Sequence, residues 1–246
     1  MTRIKYSGMA FLLVIAFSSL AAPAINVGSM NEFIYSGSST LAKRVYNSGD
    51  STAFVKITVD EIVYEGRNKP IEKKIDGEAL INGKGTGLLA SPPRMIIPVN
   101  GMQTSRLVFS GERNKERYYR VRYIPVDPKE MQDISGNVGA SEKNEIDTGL
   151  KVLTGFGIIV TVAPASTVFN TVINGKNNSL KIENKGNSSV VLGELKYCDD
   201  RMKTCSDPEN IQLRPGKKIE RTAPLGQFWF YSLAEGNKKQ QINTIK

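Results

Sequence analysis

The sequence predicts an all-β protein built as two sandwich domains, and three observations carry that prediction. Short apolar segments separated by turn residues recur from Ile25 to Lys129 and again after Pro164, the pattern of a β-sandwich. No stretch forms a convincing amphipathic helix longer than two turns. The pair Pro164-Ala165 divides the chain, leaving about 80 residues behind it. At 246 residues there is enough chain for two domains of ordinary size.

The N-terminal residues predict a signal peptide. Arg3 and Lys5 precede the apolar run Met9 to Phe17, and the small residues of SSLAAPA follow; this is the charged, apolar and small-residue order of secretory signals. The run is too short for a membrane span, which needs ~20 apolar residues. Cleavage is expected between Ala21 and Ala24. The partition is then signal peptide 1–22, first domain 23–163 and second domain 164–246. The mature protein is expected in an oxidising compartment without membrane insertion.

In the first half, Phe33 to Tyr35 leads to the turn Ser36-Gly37-Ser38, and Leu41 to Tyr46 precedes the turn Asn47-Ser48-Gly49-Asp50. Ala53 to Tyr64 is the clearest half-buried strand: Phe54, Lys56, Thr58, Asp60 and Ile62 alternate against Val55, Ile57, Val59 and Val63. Glu65 to Gly87 is rich in Gly and Lys and predicts a loop. Leu88-Leu89 runs into Ser91-Pro92-Pro93, which cannot lie in the middle of a central strand. Met95 to Pro98, Gln103 to Phe109 and Arg117 to Pro125 complete the set. Asp127 to Thr148 predicts a long mobile loop, a kind of segment that is often functional. In the second half, Leu180 to Glu183, Val190 to Tyr197, Ile219 to Thr222 and Phe228 to Leu233 predict strands. Turns at Asn174-Gly175, Lys185-Gly186-Asn187 and Arg214-Pro215-Gly216 separate them.

Between the halves lies LKVLTGFGIIVTVAP, Leu150 to Pro164. Its β-branched residues favour a strand. Leu150, Val152, Thr154, Phe156, Ile158, Val160 and Val162 share one face, and Leu153 and Ile159 lie on the other. A strand with apolar residues on both faces is either central and covered, or an edge awaiting a partner.

Charge and composition narrow the chemistry. The chain carries +9 and no histidine, and without Arg3 and Lys5 the charge is +7. The basic residues are scattered, with no run of five, so they predict a solvated surface rather than a nucleic-acid site. Without histidine there is no His-based triad and the commonest metal ligand is missing. Asn82-Gly83-Lys84-Gly85-Thr86-Gly87 lacks the spacing of a phosphate loop. Asp60 and Glu61, adjacent on a strand, face opposite ways and cannot act as a carboxylate pair. No catalytic constellation, cofactor site or metal site is found. Cys198 and Cys205 predict a local disulfide, since a two-thiolate metal site would lack its other ligands. In Tyr118-Tyr119-Arg120-Val121-Arg122-Tyr123, one face carries Tyr119, Val121 and Tyr123 and the other Tyr118, Arg120 and Arg122. This is an apolar inner face with a basic outer one, or a strand on which an arginine anchors a carboxylate.

Taken in order, SPPRMIIPVNGMQTSRLVF, ERYYRVRYIPV, a mobile loop and GFGIIVTVAP resemble the first domain of periplasmic pilus-assembly chaperones of the chaperone–usher pathway. FIYSGSSTLAKRVYNSG resembles the first two strands of that domain. GIIVTVAP with ERYYR, and CDDRMKTC followed by LRPGKK, are most similar to the alternate branch serving common-pilus and colonisation-factor fimbriae. The resemblance covers nearly the whole mature chain.

It implies two immunoglobulin-like sandwiches in a boomerang arrangement and a non-enzymatic chaperone in the periplasm. Such a chaperone stabilises incomplete pilin subunits by donor-strand complementation, a form of β-augmentation, and delivers them to an outer-membrane usher. Leu150, Val152, Thr154 and Phe156 would be the donated side chains. Without a subunit this edge invites association, which self-association of the free chaperone would cap. In the better-known branch, a basic residue on the first strand and one late on the donor strand grip the subunit's C-terminal carboxylate. Here those positions hold Glu32, or its neighbour Asn31, and Ile159, so the anchor must move or be absent; Arg120 and Lys43 are the candidates. The competing class is a structural pilin or adhesin subunit. Two domains with the donor strand intact between them argue against it. A periplasmic enzyme would be a third class, but no residue set supports one.

Overall fold

The computed structural model describes residues 22–65, 69–128, 153–176 and 178–244. The expected signal peptide, most of the predicted loop from Asp127 to Thr148, and Leu150 and Val152 of the predicted donor set lie outside the described residues. What is described is two β-sandwiches, each with its own apolar core, as the sequence predicts.

In the first sandwich, one sheet takes β1 (Ile25–Asn26), β3 (Thr40–Asn47), β8 (Met102–Ser110) and β6 (Gly87–Ser91), in that order. The other takes β2 (Asn31–Ile34), β10 (Phe156–Val162), β9 (Arg117–Val126), β4 (Ala53–Val63) and β5 (Ile71–Lys74), and β7 (Arg94–Ile97) pairs with the first part of β4. The alternation in β9 holds without a break: Tyr119, Val121 and Tyr123 are fully buried, and Tyr118, Arg120 and Arg122 face outward. In β4 the expected parity fails near its end, where Ile62, from the polar face, is buried.

The segment Glu65 to Gly87 contains more structure than its composition predicts. β5 is wholly exposed, so burial supplies no alternation to read. In register, Lys74 lies opposite Asp60 and Lys73 opposite Glu61, and the ion pairs that reach β5 from the sheet come from β9, where Arg120 and Arg122 meet Glu72. A short helix, α1 (Gly77–Ile81), follows, capped by Asp76, whose carboxylate accepts from the Ala79 N–H at 3.0 Å, and seated by Leu80.

The second sandwich pairs a sheet of β11 (Thr171–Lys176), β12 (Ser179–Asn184) and β15 (Lys218–Thr222) with one of β14 (Glu209–Leu213), β13 (Val190–Asp199), β16 (Gln227–Glu235) and β17 (Lys238–Asn243). Trp229 and Tyr231 lie in its core. β11, β14 and β17, each at the edge of its sheet, are the strands that sequence patterning misses, because each gives the core only one or two apolar side chains. The turn expected at Asn174-Gly175 falls inside β11. Cys198 and Cys205 are disulfide-bonded, with Cα atoms 4.1 Å apart.

Both sandwiches use the same corner. Asn47, before Ser48-Gly49, donates to the carbonyls of Ser51, Ile97 and Pro98 and accepts from Gly49 N. Asn184, before Lys185-Gly186, donates to those of Ser188 and Leu213 and accepts from Gly186 N. Each is buried and satisfied on both its amide oxygen and nitrogen.

Candidate functional site

The site is β10 and what flanks it. Ile158, Val160 and Val162 point into the first core, each at most 1 % exposed, and Phe156 packs half-buried against the same core. On one side β10 runs antiparallel to β9 along its whole length, from Phe156 opposite Tyr123 to Val162 opposite Arg117. On the other side β2 runs parallel to it, but only from Ile159 to Val162. Ile159 N–H donates to Met30 O at 2.8 Å, so its backbone faces β2. Backbone direction alternates along a strand, so the N–H and C=O of Gly157 also face that side. There they meet no strand among the described residues. β10 is thus enclosed at its C-terminal end and open on one edge at its N-terminal end.

The edge opens where the chain changes sheets. β1 belongs to one sheet and β2 to the other, and Val27 to Met30 cross between them through Gly28 at φ +66°, a conformation that suits glycine. Lys43 holds this crossover. Only 4 % exposed, it donates to Ser29 O at 2.6 Å and to Glu32 Oε1 at 2.5 Å. Tyr123 and Ser105 lie buried nearby. Burial pushes the Tyr123 phenol well above its usual range, and Glu32 adds to the shift. Lys43 is therefore enclosed and paired, and an external carboxylate would have to displace Glu32 to reach it.

Arg120 lies on the outer face of the sheet, opposite Ile159. Its Nε donates to Glu72 Oε1 at 3.2 Å. Arg122 donates to the other oxygen of Glu72 and, at 2.6 Å, to Asp60 Oδ2. The Arg122 hydrogen bond holds the Glu72 carboxyl below its usual range, with Arg120 contributing in the same direction. Of the predicted donated side chains that are described, Thr154 is exposed and Phe156 half-buried.

Three further residues that the sequence did not single out position the strand. Arg113 gathers five hydrogen bonds onto main-chain carbonyls: two to Ala163 and one each to Ile34, Tyr35 and Ser38. It thereby ties the end of β10 to the turn after β2. Gln212 of the second sandwich donates to Thr161 Oγ1 of β10 at 2.9 Å. Glu116 joins the two sandwiches, accepting from Ser188 Oγ, Ser189 N, Ser189 Oγ and the Tyr118 hydroxyl. Burial, then Glu116, drives the Tyr118 phenol far above its usual range. Arg113 and Gln212 belong to no motif, and Glu116, although it opens the ERYYR motif, shows no role there because its partners Ser188 and Ser189 are distant in sequence.

No family model matches the chain. In sequence it is 27 % identical over 207 residues to the probable fimbrial chaperone EcpB of Escherichia coli O1:K1, covering 83 % of this chain and 84 % of that protein. Its fold is that of the class 5 fimbriae chaperone CfaA, at a TM-score of 0.53 and 19 % identity, covering 91 % of this chain and all of that one. A chain from a chaperone–tip adhesin complex of CFA/I fimbriae matches at a TM-score of 0.50 and 16 % identity, covering 90 % of this chain and 99 % of that one. In sequence over most of its length, and in fold, this chain is similar to the chaperones of the chaperone–usher pathway for pilus assembly.

Proposed function

We propose that this protein is a periplasmic chaperone that captures incomplete pilin subunits by donor-strand complementation and delivers them to an outer-membrane usher. The observation that carries the proposal is the one-sided end of β10: Phe156 to Ile158 pair with β9 and leave the opposite edge free. An added strand would take the backbone groups of Gly157. Leu150, Val152, Thr154 and Phe156 would present alternate side chains to the subunit, continuing the face that buries Ile158 and Val160. The expected signal peptide supports the location, and the similarity to fimbrial chaperones supports pilin subunits as partners. The pilin alternative is disfavoured because β10 already completes the first sandwich. For the carboxylate anchor, Arg120 is preferred over Lys43, since Lys43 is enclosed against Glu32.

The test uses Val152→Asp in a chaperone co-expressed with a fimbrial subunit. We expect an unchanged melting temperature for the free chaperone and loss of the one-to-one complex on size exclusion. A normal complex yield from a stable Val152→Asp protein would refute donor-strand complementation at this strand.

A further inference from the structure

Glu72 already pairs with Arg120, the preferred anchor. Its two oxygens are divided between Arg120 and Arg122, on the outer face of the sheet beside the open part of β10. Arg120 lies over Gly157, where a Cβ would come within 3.3 Å of its Cδ, so the glycine lets the arginine rest against the open part of β10. The ion pairs set two guanidiniums against Glu72 and Asp60. One carboxylate exchanged for another leaves that count unchanged.

Two observations make the exchange easy. Arg120, Arg122 and Glu72 are each about a third exposed, at 32 %, 33 % and 33 %, and ion pairs in such positions contribute little to stability. Glu72 also lies on a four-residue strand with every residue exposed, held by β4 alone. A charge pair needed for architecture would sit on a packed element, as Lys43 and Glu32 do.

We propose that Glu72 is a resident stand-in for a partner's carboxylate: it holds Arg120 and Arg122 in the free protein and is displaced when a bound protein brings its own carboxylate to them. This rests on Arg120 being the anchor. It adds Arg122 as the second arm, and it makes release of Glu72 a step in capture. A carboxylate tethered by strand pairing along β10 acts at a high effective concentration and so competes with Glu72. A free carboxylate must compete from bulk solution, which gives the site selectivity for a partner already docked.

The experiment has two arms. In the first, sodium acetate is titrated into the whole protein against sodium chloride of equal ionic strength, and the Nε–H signals of Arg120 and Arg122 are followed by NMR. Glu72→Gln should lower the acetate concentration at half-saturation about two- to fivefold, the range an exposed ion pair accounts for. Glu72→Ala should do the same, with the melting temperature preserved in both. Acetate affinity that is unchanged or weaker in both variants overturns the stand-in. In the second arm, recovery of a co-expressed fimbrial subunit is compared. Glu72→Gln should raise it and Arg120→Ala lower it. Loss with Arg120→Ala but no gain with Glu72→Gln overturns the stand-in alone, and unchanged recovery with Arg120→Ala overturns the anchor reading beneath it.

Discussion

Ile158, Val160 and Val162 of β10 as one half, and Thr154 and Phe156 before and at its start as the other, follow the same alternation, but their surroundings differ. The first three are packed in the core, with Val160 and Val162 also flanked by both β2 and β9. Of the other two, Phe156 is half-buried and Thr154 exposed, and past Ile159 the β2 side holds no strand among the described residues. Side-chain periodicity reports only which face a residue is on. Whether that face is filled depends on how far the neighbouring strand extends. In this sandwich that extent is set by the crossover at Val27 to Met30 and by Lys43, which holds Ser29 and Glu32.

The largest expected effect follows from placing the same charge in each half. Val160→Asp buries a carboxylate in an apolar core with no cation to meet it, which should cost ~4 kcal/mol or more and unfold the first sandwich. Thr154→Asp should change stability by no more than ~0.5 kcal/mol, as surface substitutions do. Urea unfolding of the two variants checks both. If Thr154→Asp destabilises as much as Val160→Asp, the two halves are one core and the distinction fails.

Lys43→Met probes the device that separates the halves. It leaves the Glu32 carboxylate without its cation. Losing one partner of a buried pair costs ~3–5 kcal/mol, and because the Glu32 side chain keeps 24 % exposure we expect about 2–3 kcal/mol. Adding Glu32→Gln should restore part of the loss. Amide exchange should quicken at Ser29 to Glu32 and at Ile159, whose N–H is held by Met30 O. Unchanged exchange at Ile159 would mean that Lys43 does not set the length of the paired edge.

Much of this was legible in the sequence. Both sandwiches, the inner and outer faces of β9, the disulfide and the apolar face of β10 follow from alternation, turn residues and cysteine count, because those signals are local. The edge strands β5, β11, β14 and β17 were not legible: β5 is wholly exposed, and the other three give the second core only one or two apolar side chains each, too few to impose a period. Nor were the ties that position the site. Lys43 and Glu32 are eleven residues apart, Arg120 and Glu72 forty-eight, and Gln212 and Thr161 fifty-one, and no spacing rule connects them. The two candidate anchors differ in setting: Arg120 is about a third exposed on the outer face, whereas Lys43 is buried and paired with Glu32.

The second sandwich contributes less to the enclosed half than the core does. Gln212→Ala removes the hydrogen bond to Thr161, worth about 1 kcal/mol. A melting-temperature change as large as that from Lys43→Met would make the contact between sandwiches a main support of β10.

The smallest effect concerns the outer face and depends on pH. Glu72 is held below its usual range, chiefly by the Arg122 hydrogen bond. Its carboxyl therefore binds a proton more weakly in the folded chain than in the unfolded one, and stability rises with pH across its titration. The contribution is complete above the ordinary glutamate value of 4.5 and is lost as the pH falls through the lower folded value. Because the ion pairs are a third exposed, solvent screening keeps the contribution to a few tenths of a kcal/mol. Melting temperatures of the wild type and Glu72→Gln, measured from neutral pH downward, should differ slightly in favour of the wild type and converge below 4.5. A difference that persists at low pH would mean that Glu72 supports β5 by packing rather than by charge, and a charge that cannot be given up at low cost cannot serve as a stand-in. Convergence would place Glu72 opposite Glu32: both carboxylates meet basic side chains of the first sandwich, but only the exposed one can be exchanged without loss of the fold.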